Sequence, residues 1–267
     1  MKCGLIKKTE SQFVDTIEKE AYVWCENNWK HDDYEHVHYR AQLTYVEEGY
    51  QYFHIDQKIY IVPQHHVIWV PSEKAHKITS EARTVNLMVF LFKTVFEEEF
   101  YQNVHVFAVP PVLKEMLLYA SKWNQSLTEN EEQDIFFKAI LKSLPNFCKE
   151  SNKLEIPVPA DARLIPVCNE ISSHFKYNLD IDSLAGKAQM SVRSLQRIFK
   201  NETGITLQKY LQLTRILKSI ELIDTKKYTL SEIAYQVGYQ SLSAFTSSYF
   251  ALMKTKPKLN KNQGVSS

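Results

Sequence analysis

Four polar side chains between residues 192 and 200 have the types and the spacing needed to recognise nucleic-acid bases. Arg193, Gln196, Arg197 and Lys200 follow one another at i, i+3, i+4 and i+7, so in a helix they share one face. Arg matches the O6 and N7 acceptors of guanine and Gln matches N6 and N7 of adenine, at roughly 1–3 kcal/mol of discrimination each. A solvated polar face of an ordinary helix is the alternative interpretation, so the surrounding elements must decide.

The elements that would carry this face occur twice in the last third of the chain. The offset between the copies is 49 residues up to Met190 and Tyr239, and 50 residues from Ser191 and Ser241 onward. The corresponding apolar positions are Leu184/Ile233, Ala185/Ala234, Ala188/Val237, Leu195/Phe245 and Phe199/Tyr249. A repeated helical unit is stronger evidence than a single one, because chance must produce the pattern twice.

Each copy has the pattern of a helix-turn-helix unit. Paired small residues let two short helices cross closely, and Gly238 can adopt the positive φ that a sharp turn often needs. Ser191 and Ser241 are predicted N-caps of the second helices. In such a unit the second helix lies in the major groove of DNA, with its N-terminal residues towards the base edges. The repeat therefore predicts a chain that binds double-stranded DNA.

A single helix is predicted between the two units, from Leu207 to Ile223. Its buried stripe comprises Leu213, Ile216, Leu217, Ile220 and Ile223. A rigid connector would let one chain occupy two major-groove segments about 34 Å apart, which normally takes a dimer. The expected DNA site is therefore asymmetric rather than palindromic.

The charge distribution agrees with this division. Residues 159–267 contain 15 Lys and Arg against 8 Asp and Glu, whereas residues 1–158 contain 17 against 23. The net charge of +1 thus combines a basic part of +7 with an acidic part of −6. A basic region is what neutralisation of DNA phosphates requires.

This part of the chain resembles the DNA-binding domain of the AraC/XylS family of bacterial transcription regulators. The resemblance rests on Ser191 to Gly204, on Tyr210 and on Leu230 to Tyr239. It implies base-reading positions at Arg193, Gln196 and Arg197 and, in the second unit, at Leu242, Ser243, Thr246 and Ser247. The expected DNA-binding residues are Ser191, Arg193, Ser194, Gln196, Arg197, Lys200, Gln240, Ser241, Ser243, Thr246 and Ser247.

The second unit departs from the family pattern. Ser247 stands where the first unit has Arg197, and Phe250 stands where it has Lys200. Hydroxyl groups can bond bases or phosphates, but without charge assistance they do so more weakly. We therefore expect the first unit to dominate the affinity for DNA.

The first part of the chain has a β pattern. Segments rich in Val, Ile, Tyr and Phe are separated by turn residues, and they cover 41–47, 50–55, 58–62, 67–70, 76–79 and 84–92. Frequent short strands indicate a sandwich or barrel. This part resembles the cupin-like sensor domain of the same family through its residues His36, His38, Gln42, Gly49, Pro71, Glu73 and His76. The predicted fold is α+β: a cupin-like β-barrel or sandwich with a helical appendage, then an all-α domain with two helix-turn-helix units.

The histidines of this region have two interpretations. By the resemblance, His36, His38 and His76 stand at metal-ligand positions, but Gln42 replaces the expected Glu and brings no charge to stabilise a dication. The favoured interpretation is a pocket for a small-molecule effector, with no cofactor. Its expected residues are His36, His38, Gln42, Tyr45 and His76, with Tyr39, Tyr52, His54 and Trp69 as further walls.

The remaining boundaries follow from composition. Domain one is expected over 1–110, a helical segment over 111–150, a linker over 151–159 and the DNA-binding domain over 160–267, with a leading helix near 161–175. The helical segment has apolar stripes at Leu113, Met116, Leu117 and Ala120, and at Ile135, Phe136, Ala139, Ile140 and Leu144, with a cap among residues 128–131. These helices either form a homodimer, as the resemblance implies, or pack onto the barrel.

The expected function is an effector-responsive transcription regulator, an activator by resemblance, which contacts RNA polymerase. Residues 1–10 lack a signal peptide, no apolar run reaches membrane length, and four scattered cysteines lack C-x-x-C spacing, so we expect a cytoplasmic, nucleoid-associated protein that does not enter membranes. It is not expected to be an enzyme. The alternatives are a metal-dependent cupin enzyme tethered to a DNA-binding domain, and a DNA binder without an effector.

Overall fold

The computed structural model describes residues 13–30, 34–128, 130–149 and 154–259. The chain forms two compact units. The first runs to Asp56 and resumes over Tyr60–Leu154; the second comprises Gln57–Ile59 and the chain from Glu155 onward. The division falls inside the expected linker, whose residues 151–153 lie outside the described part. The linker also contains a short strand, because the backbone from Glu155 to Pro157 is extended and hydrogen-bonded.

Nine strands are described. They are β1 (Ala21–Glu26), β2 (Ala41–Glu48), β3 (Tyr50–Ile55), β4 (Lys58–Pro63), β5 (His66–Val70), β6 (Lys77–Thr79), β7 (Asn86–Phe92), β8 (His105–Ala108) and β9 (Glu155–Pro157). One sheet has the order β1-β7-β2-β5-β8 and the other β6-β3-β4-β9. The described pairings within the first sheet are antiparallel, for example Leu43 opposite both Phe90 and Trp69. The expected β-rich first domain is thus confirmed.

Both faces of the five-stranded sheet are buried, which gives β2 six consecutive buried residues. Leu43, Tyr45 and Phe90 lie on the face that packs against two helices, α1 (Pro111–Ala120) and α2 (Glu131–Cys148). Gln42 and Thr44 alternate with them and point to the opposite face. That opposite face lines the interior between the sheets.

The two helices bury a stripe different in part from the expected one. In α2 the buried residues are Gln133, Phe137, Ile140, Leu141, Leu144 and Cys148. Ile135 is 63% exposed and Ala139 is exposed, so these two residues of the expected stripe do not pack onto the sheet within this chain. The N-cap is Asn130, whose side chain accepts from the Gln133 backbone N–H and so fixes where the helix begins.

The second unit is helical in its described part after β9. Its helices are α3 (Ile165–Ser173), α4 (Ile181–Lys187), α5 (Val192–Thr203), α6 (Leu207–Asp224), α7 (Leu230–Gln236) and α8 (Leu242–Met253). The expected connector appears as the 18-residue α6. No helix among the described residues has the length and apolar character needed to cross a membrane.

Candidate nucleic-acid interface and effector cavity

The first helix-turn-helix unit consists of α4 and α5. The turn closes with a 3.0 Å hydrogen bond from the Met190 N–H to the Ala185 carbonyl, and Gln189 adopts φ 53°. The Ser191 hydroxyl caps α5 by accepting from the Ser194 N–H at 3.2 Å. Leu195 and Phe199 are fully buried below the helix. This packing fixes which face of α5 meets solvent.

The four side chains with base-reading chemistry lie together on that face. Arg193, Gln196, Arg197 and Lys200 are all exposed. None of the ion pairs formed within the described ranges involves these three cations. Their charges are therefore available to phosphates or guanine edges. Ser191 and Ser194 lie at the start of α5, where their hydroxyls are bonded to each other at 3.0 Å as part of the cap.

The second unit repeats this geometry with α7 and α8. The turn closes with a 2.9 Å bond from the Tyr239 N–H to the Ala234 carbonyl, 49 residues after its counterpart, and Gly238 adopts φ 87°. Ser241 caps α8 by accepting from the Ala244 N–H at 3.2 Å. The predicted N-caps and the predicted positive φ at the second turn are thus present in the structure.

The outer face of α8 differs in chemistry from that of α5. No residue from Leu242 to Met253 carries a charge. Gln240, Ser243 and Ser247 are exposed, as expected for DNA contacts. Phe250 is 50% exposed at the position that corresponds to Lys200. The second unit therefore offers a recognition helix without cations.

Arg215 connects the two helix-turn-helix units. This role was not expected from the sequence. It lies on α6 with 8% exposure, and its Nε and Nη2 donate to the carbonyls of Phe175 (2.7 Å) and Tyr177 (3.0 Å), which precede α4. Its guanidinium also lies 5.7 Å from the ring centre of Tyr239 in the second turn. Burial lowers the pKa of Arg215. The nearby Tyr239 opposes this shift without cancelling it. Position 215 lies outside the apolar stripe expected for the connector, so no local pattern in the sequence pointed to its burial.

A cavity of about 190 Å³ lies inside the first compact unit, which carries most of the β-strands. Trp24, Trp29 and Tyr34 contribute aromatic groups to its lining. The other lining residues are Val14, Glu26, Asn28, Lys30, His36, His38, Gln42, Thr44, Gln51, Ile78, Leu87, Val89 and Leu91. Half of the lining side chains are polar, so the cavity offers hydrogen-bonding groups beside aromatic and aliphatic surface, as a small-molecule site requires.

The polar groups of the cavity are partly engaged. Gln42 contacts His38 Nε2 through Oε1 at 3.0 Å and donates from Nε2 to the Thr44 hydroxyl at 2.7 Å. Gln51 is 1% exposed, and its Oε1 has no hydrogen-bond partner among the described residues. A buried amide oxygen in this state is stabilised by any donor that a ligand brings.

His36, His38 and His76 form one wall region, with one ring nitrogen of each lying within 4.8 Å of the others. Nδ1 of His38 lies 2.7 Å from the Arg40 carbonyl, and Nδ1 of His76 lies 2.8 Å from that of Lys74. Donation from Nδ1 leaves Nε2 of His76 as a potential ligand atom, whereas Nε2 of His38 already contacts Gln42 Oε1. Burial, with the adjacent His36, lowers the pKa of His76 to about 3, so its ring is neutral near pH 7. The donor set fits a nitrogen-binding divalent metal, although Gln42 adds no charge.

Several expected pocket residues lie elsewhere. Tyr45 and Trp69 are fully buried on the helix-facing side of the sheet, where the Tyr45 hydroxyl contacts His65 Nδ1 at 3.1 Å. Tyr39 is 71% exposed. Tyr52 and His54 lie outside the lining, and His54 contacts the Thr79 hydroxyl at 3.0 Å. His76 lies behind His36 and His38 rather than in the lining. Tyr45 lies three residues after Gln42 on β2, so strand alternation puts the two side chains on opposite faces.

Two family models match the chain. Residues 17–118 match the AraC-like ligand-binding domain, and residues 184–261 match a helix-turn-helix domain. Together they cover two thirds of the sequence. They define a protein with a ligand-binding domain followed by a helix-turn-helix domain. The chain belongs to the AraC/XylS family of transcription regulators.

Curated relatives agree with this assignment. The chain is 30% identical over 114 residues to the HTH-type transcriptional activator RhaS of Citrobacter koseri, covering 43% of this chain and 40% of RhaS. It is 21% identical over 214 residues to the HTH-type transcriptional regulator NimR of Escherichia coli, covering 79% of this chain and 75% of NimR. The match to RhaS thus spans less than half of that relative's length.

Solved structures with similarity to the chain include ToxT from Vibrio cholerae O395, at 15% identity and a TM-score of 0.36, covering 90% of this chain and 96% of ToxT. The DNA-binding domain of AdpA, solved in complex with a target DNA, is 26% identical with a TM-score of 0.33. That match covers 37% of this chain and 87% of the AdpA chain.

Proposed function

We propose that the protein is a transcription regulator that binds DNA through its two helix-turn-helix units and responds to a small molecule in the cavity of its first unit. The observation that carries this proposal is the exposed face of α5, where Arg193, Gln196, Arg197 and Lys200 lie together on a helix capped and packed for display. Phosphates supply affinity for such a face and base edges supply specificity.

Both recognition helices would bind one stretch of DNA. α5 and α8 begin after equivalent turns and are joined by α6, which buries ten of its residues in the second unit. Insertion of both helices into successive major-groove segments requires a site of about two helical turns. Because the two faces differ, the site is asymmetric.

The effector would act by a shift of populations. A molecule that binds the cavity more tightly in one conformation of the protein favours that conformation by its difference in affinity. Trp24, Trp29 and Gln51 supply aromatic surface and an unsatisfied acceptor for such a molecule. Of the originally expected pocket residues, His36, His38 and Gln42 keep this role in the proposal.

A second candidate is a metal-responsive regulator. The specific observation is the three-histidine cluster, in which Nδ1 of His38 and Nδ1 of His76 each lie within hydrogen-bond distance of a backbone carbonyl. Titration of the full-length protein with Zn²⁺, followed by calorimetry, tests it: one equivalent should bind, and His76→Ala should abolish that binding. Full binding by the variant contradicts the assignment, and metal-dependent turnover lost in His36→Ala would support the rival cupin enzyme.

Four finer features belong to the same proposal. The protein would form a homodimer through α1 and α2, contact RNA polymerase, activate transcription and act in the cytoplasm at the nucleoid. Exposed apolar side chains on these two helices, Val112 (57%) and Ile135 (63%), support the dimer. Sedimentation of the full-length protein would test it: a monomer at all concentrations contradicts this part alone.

Selection of bound fragments from random DNA tests the central proposal. The full-length protein should enrich an asymmetric motif of about two helical turns. The Arg193→Ala/Arg197→Ala double variant, matched in fold by circular dichroism, should lose the half of the motif that lies under α5. Enrichment of no sequence by the folded wild-type protein would overturn the proposal.

A further inference from the structure

The outer face of α8 carries an apolar stripe that has no counterpart on α5. Leu242, Thr246 and Phe250 follow one another at i, i+4 and i+8 and so form one ridge along the helix. Leu242 is 38% exposed and Phe250 is 50% exposed. By the offset of 50 residues, this ridge corresponds to Val192, Gln196 and Lys200 of α5. The equivalent surface has thus exchanged an amide and a charge for hydrocarbon.

Thr246 presents its methyl group rather than its hydroxyl. Its Oγ1 donates to the Ser243 carbonyl at 3.1 Å within the same helix. A hydroxyl engaged with the preceding turn leaves the γ-methyl as the group that faces away from the backbone. The centre of the ridge is therefore apolar, although the residue type is nominally polar.

The major groove of DNA offers one apolar feature on its base edges, the 5-methyl group of thymine, and Thr methyl and aromatic side chains are suited to it. We infer that α8 recognises thymine methyl groups through the ridge of Leu242, Thr246 and Phe250. This inference rests on the proposed DNA-binding function and adds a base preference to its second unit.

DNA is the occupant that the repeat supports. α8 follows a turn with the same backbone hydrogen bond as the turn before α5, and both helices begin at a Ser cap. The exposed hydroxyls of Ser243 and Ser247 lie along one side of the ridge, and the buried Phe245 and Tyr249 lie on its other side. A narrow apolar line beside hydroxyls suits a groove with methyl groups among hydrogen-bonding edges better than a broad protein interface.

Replacement of thymidine by deoxyuridine tests the inference, because it removes only the 5-methyl group. The selected site is assigned to two halves with Arg197→Ala, which changes preference under α5. Deoxyuridine throughout the α8 half should weaken binding of the full-length protein about fourfold for each contacted methyl group. Deoxyuridine throughout the α5 half is the control, and it should have a smaller effect.

Thr246→Ser is the matched protein variant, since it deletes one methyl group and keeps the hydroxyl bond to Ser243. It should bind thymidine DNA about fourfold more weakly than wild type. On DNA with deoxyuridine in the α8 half, the two proteins should bind equally, because the partner methyl is already absent. Leu242→Ala should behave in the same way, and circular dichroism confirms that each variant is folded.

Equal affinity for thymidine and deoxyuridine in the α8 half, with specific binding retained in the α5 half, would overturn the inference and leave the proposed function intact. A loss of self-association in Leu242→Ala without any change in DNA affinity would overturn it in favour of a protein contact. Failure of the wild-type protein to bind any sequence would instead remove the proposed function itself.

Discussion

The two helix-turn-helix units have the same backbone and opposite surface chemistry. The turn hydrogen bonds of Met190 and Tyr239 are 3.0 and 2.9 Å long, and each recognition helix begins at a Ser that accepts from the residue three positions on. The outer face of α5 nevertheless carries three cations, whereas α8 carries none.

This difference shows which parts of the unit are constrained by folding and which by binding. Caps, turns and the buried pair Leu195/Phe199 or Phe245/Tyr249 must recur, because each unit has to close and pack. The exposed positions contribute little to folding and are free to differ. Variants that act on the shared backbone should therefore cost stability, and variants on the outer faces should cost DNA affinity.

Gly238→Ala should produce the largest effect. A Cβ there would lie 2.4 Å from the Lys176 carbonyl oxygen, and φ is +87°. Overlap and left-handed strain together should lower the free energy of unfolding by about 4 kcal/mol. Gly204→Ala is the matched control, because φ is +74° but nothing lies within 4 Å, so only about 1–2 kcal/mol is expected. Urea denaturation followed by circular dichroism measures both, and equal losses would contradict the steric argument.

Arg215→Met should come next. It removes two charge-assisted, partly buried hydrogen bonds to the carbonyls of Phe175 and Tyr177, at a cost of about 3 kcal/mol. Lys218→Met on the same helix is the control; Lys218 pairs only with the adjacent Glu221 among the described residues, and its loss should cost less than about 1 kcal/mol. If the two variants unfold at the same temperature, Arg215 does not stabilise the packing of the two helix-turn-helix units.

The comparison of the two faces is sharpened by alanine at Arg197 and at the corresponding Ser247. Arg197→Ala should reduce the affinity for the selected site by about 2 kcal/mol and relax preference at one base pair. Ser247→Ala should cost less than about 1 kcal/mol, because a neutral hydroxyl exchanges one hydrogen bond for another with water. Fluorescence anisotropy with labelled DNA measures both, and a uniform loss over all sequences would make Arg197 a phosphate contact.

The smallest effect concerns the salt dependence of binding. Lys200→Ala should reduce the slope of log affinity against log salt by about 0.9, the value of one phosphate contact. Phe250→Ala should leave the slope unchanged, because Phe250 carries no charge that could neutralise a phosphate. A slope unaffected by Lys200→Ala would remove this residue from the phosphate contacts.

The second compact unit could be predicted from the sequence, because the signals for its helices and turns are local. Caps, small residue pairs and a glycine at a turn act within a few positions, so Ser191, Ser241 and Gly238 could be assigned from spacing alone. The outer face of α5 followed from the same helical period. The role of Arg215 could not be predicted, since its acceptors lie about forty residues earlier in the chain.

The first compact unit was less predictable, because the alternation of side chains along a strand does not say which face turns towards the cavity. β2 is buried on both sides, so Tyr45 and Gln42 have equally hidden environments on opposite faces. Only the helices α1 and α2, which cover one face, separate the core from the cavity. The same ambiguity misplaced Trp69, which lies on the helix-facing side of the sheet.

The connector α6 has a consequence for how binding sites can evolve. It is 18 residues long, about 27 Å of continuous helix, and it cannot stretch or twist to follow its target. Each base pair added between two half-sites turns one of them by about 35° around the duplex. The DNA sites of a protein with such a rigid connector can change by base substitutions, but not by insertions or deletions between their two halves. The set of sites across a genome should therefore share one length, even where few letters are common to all.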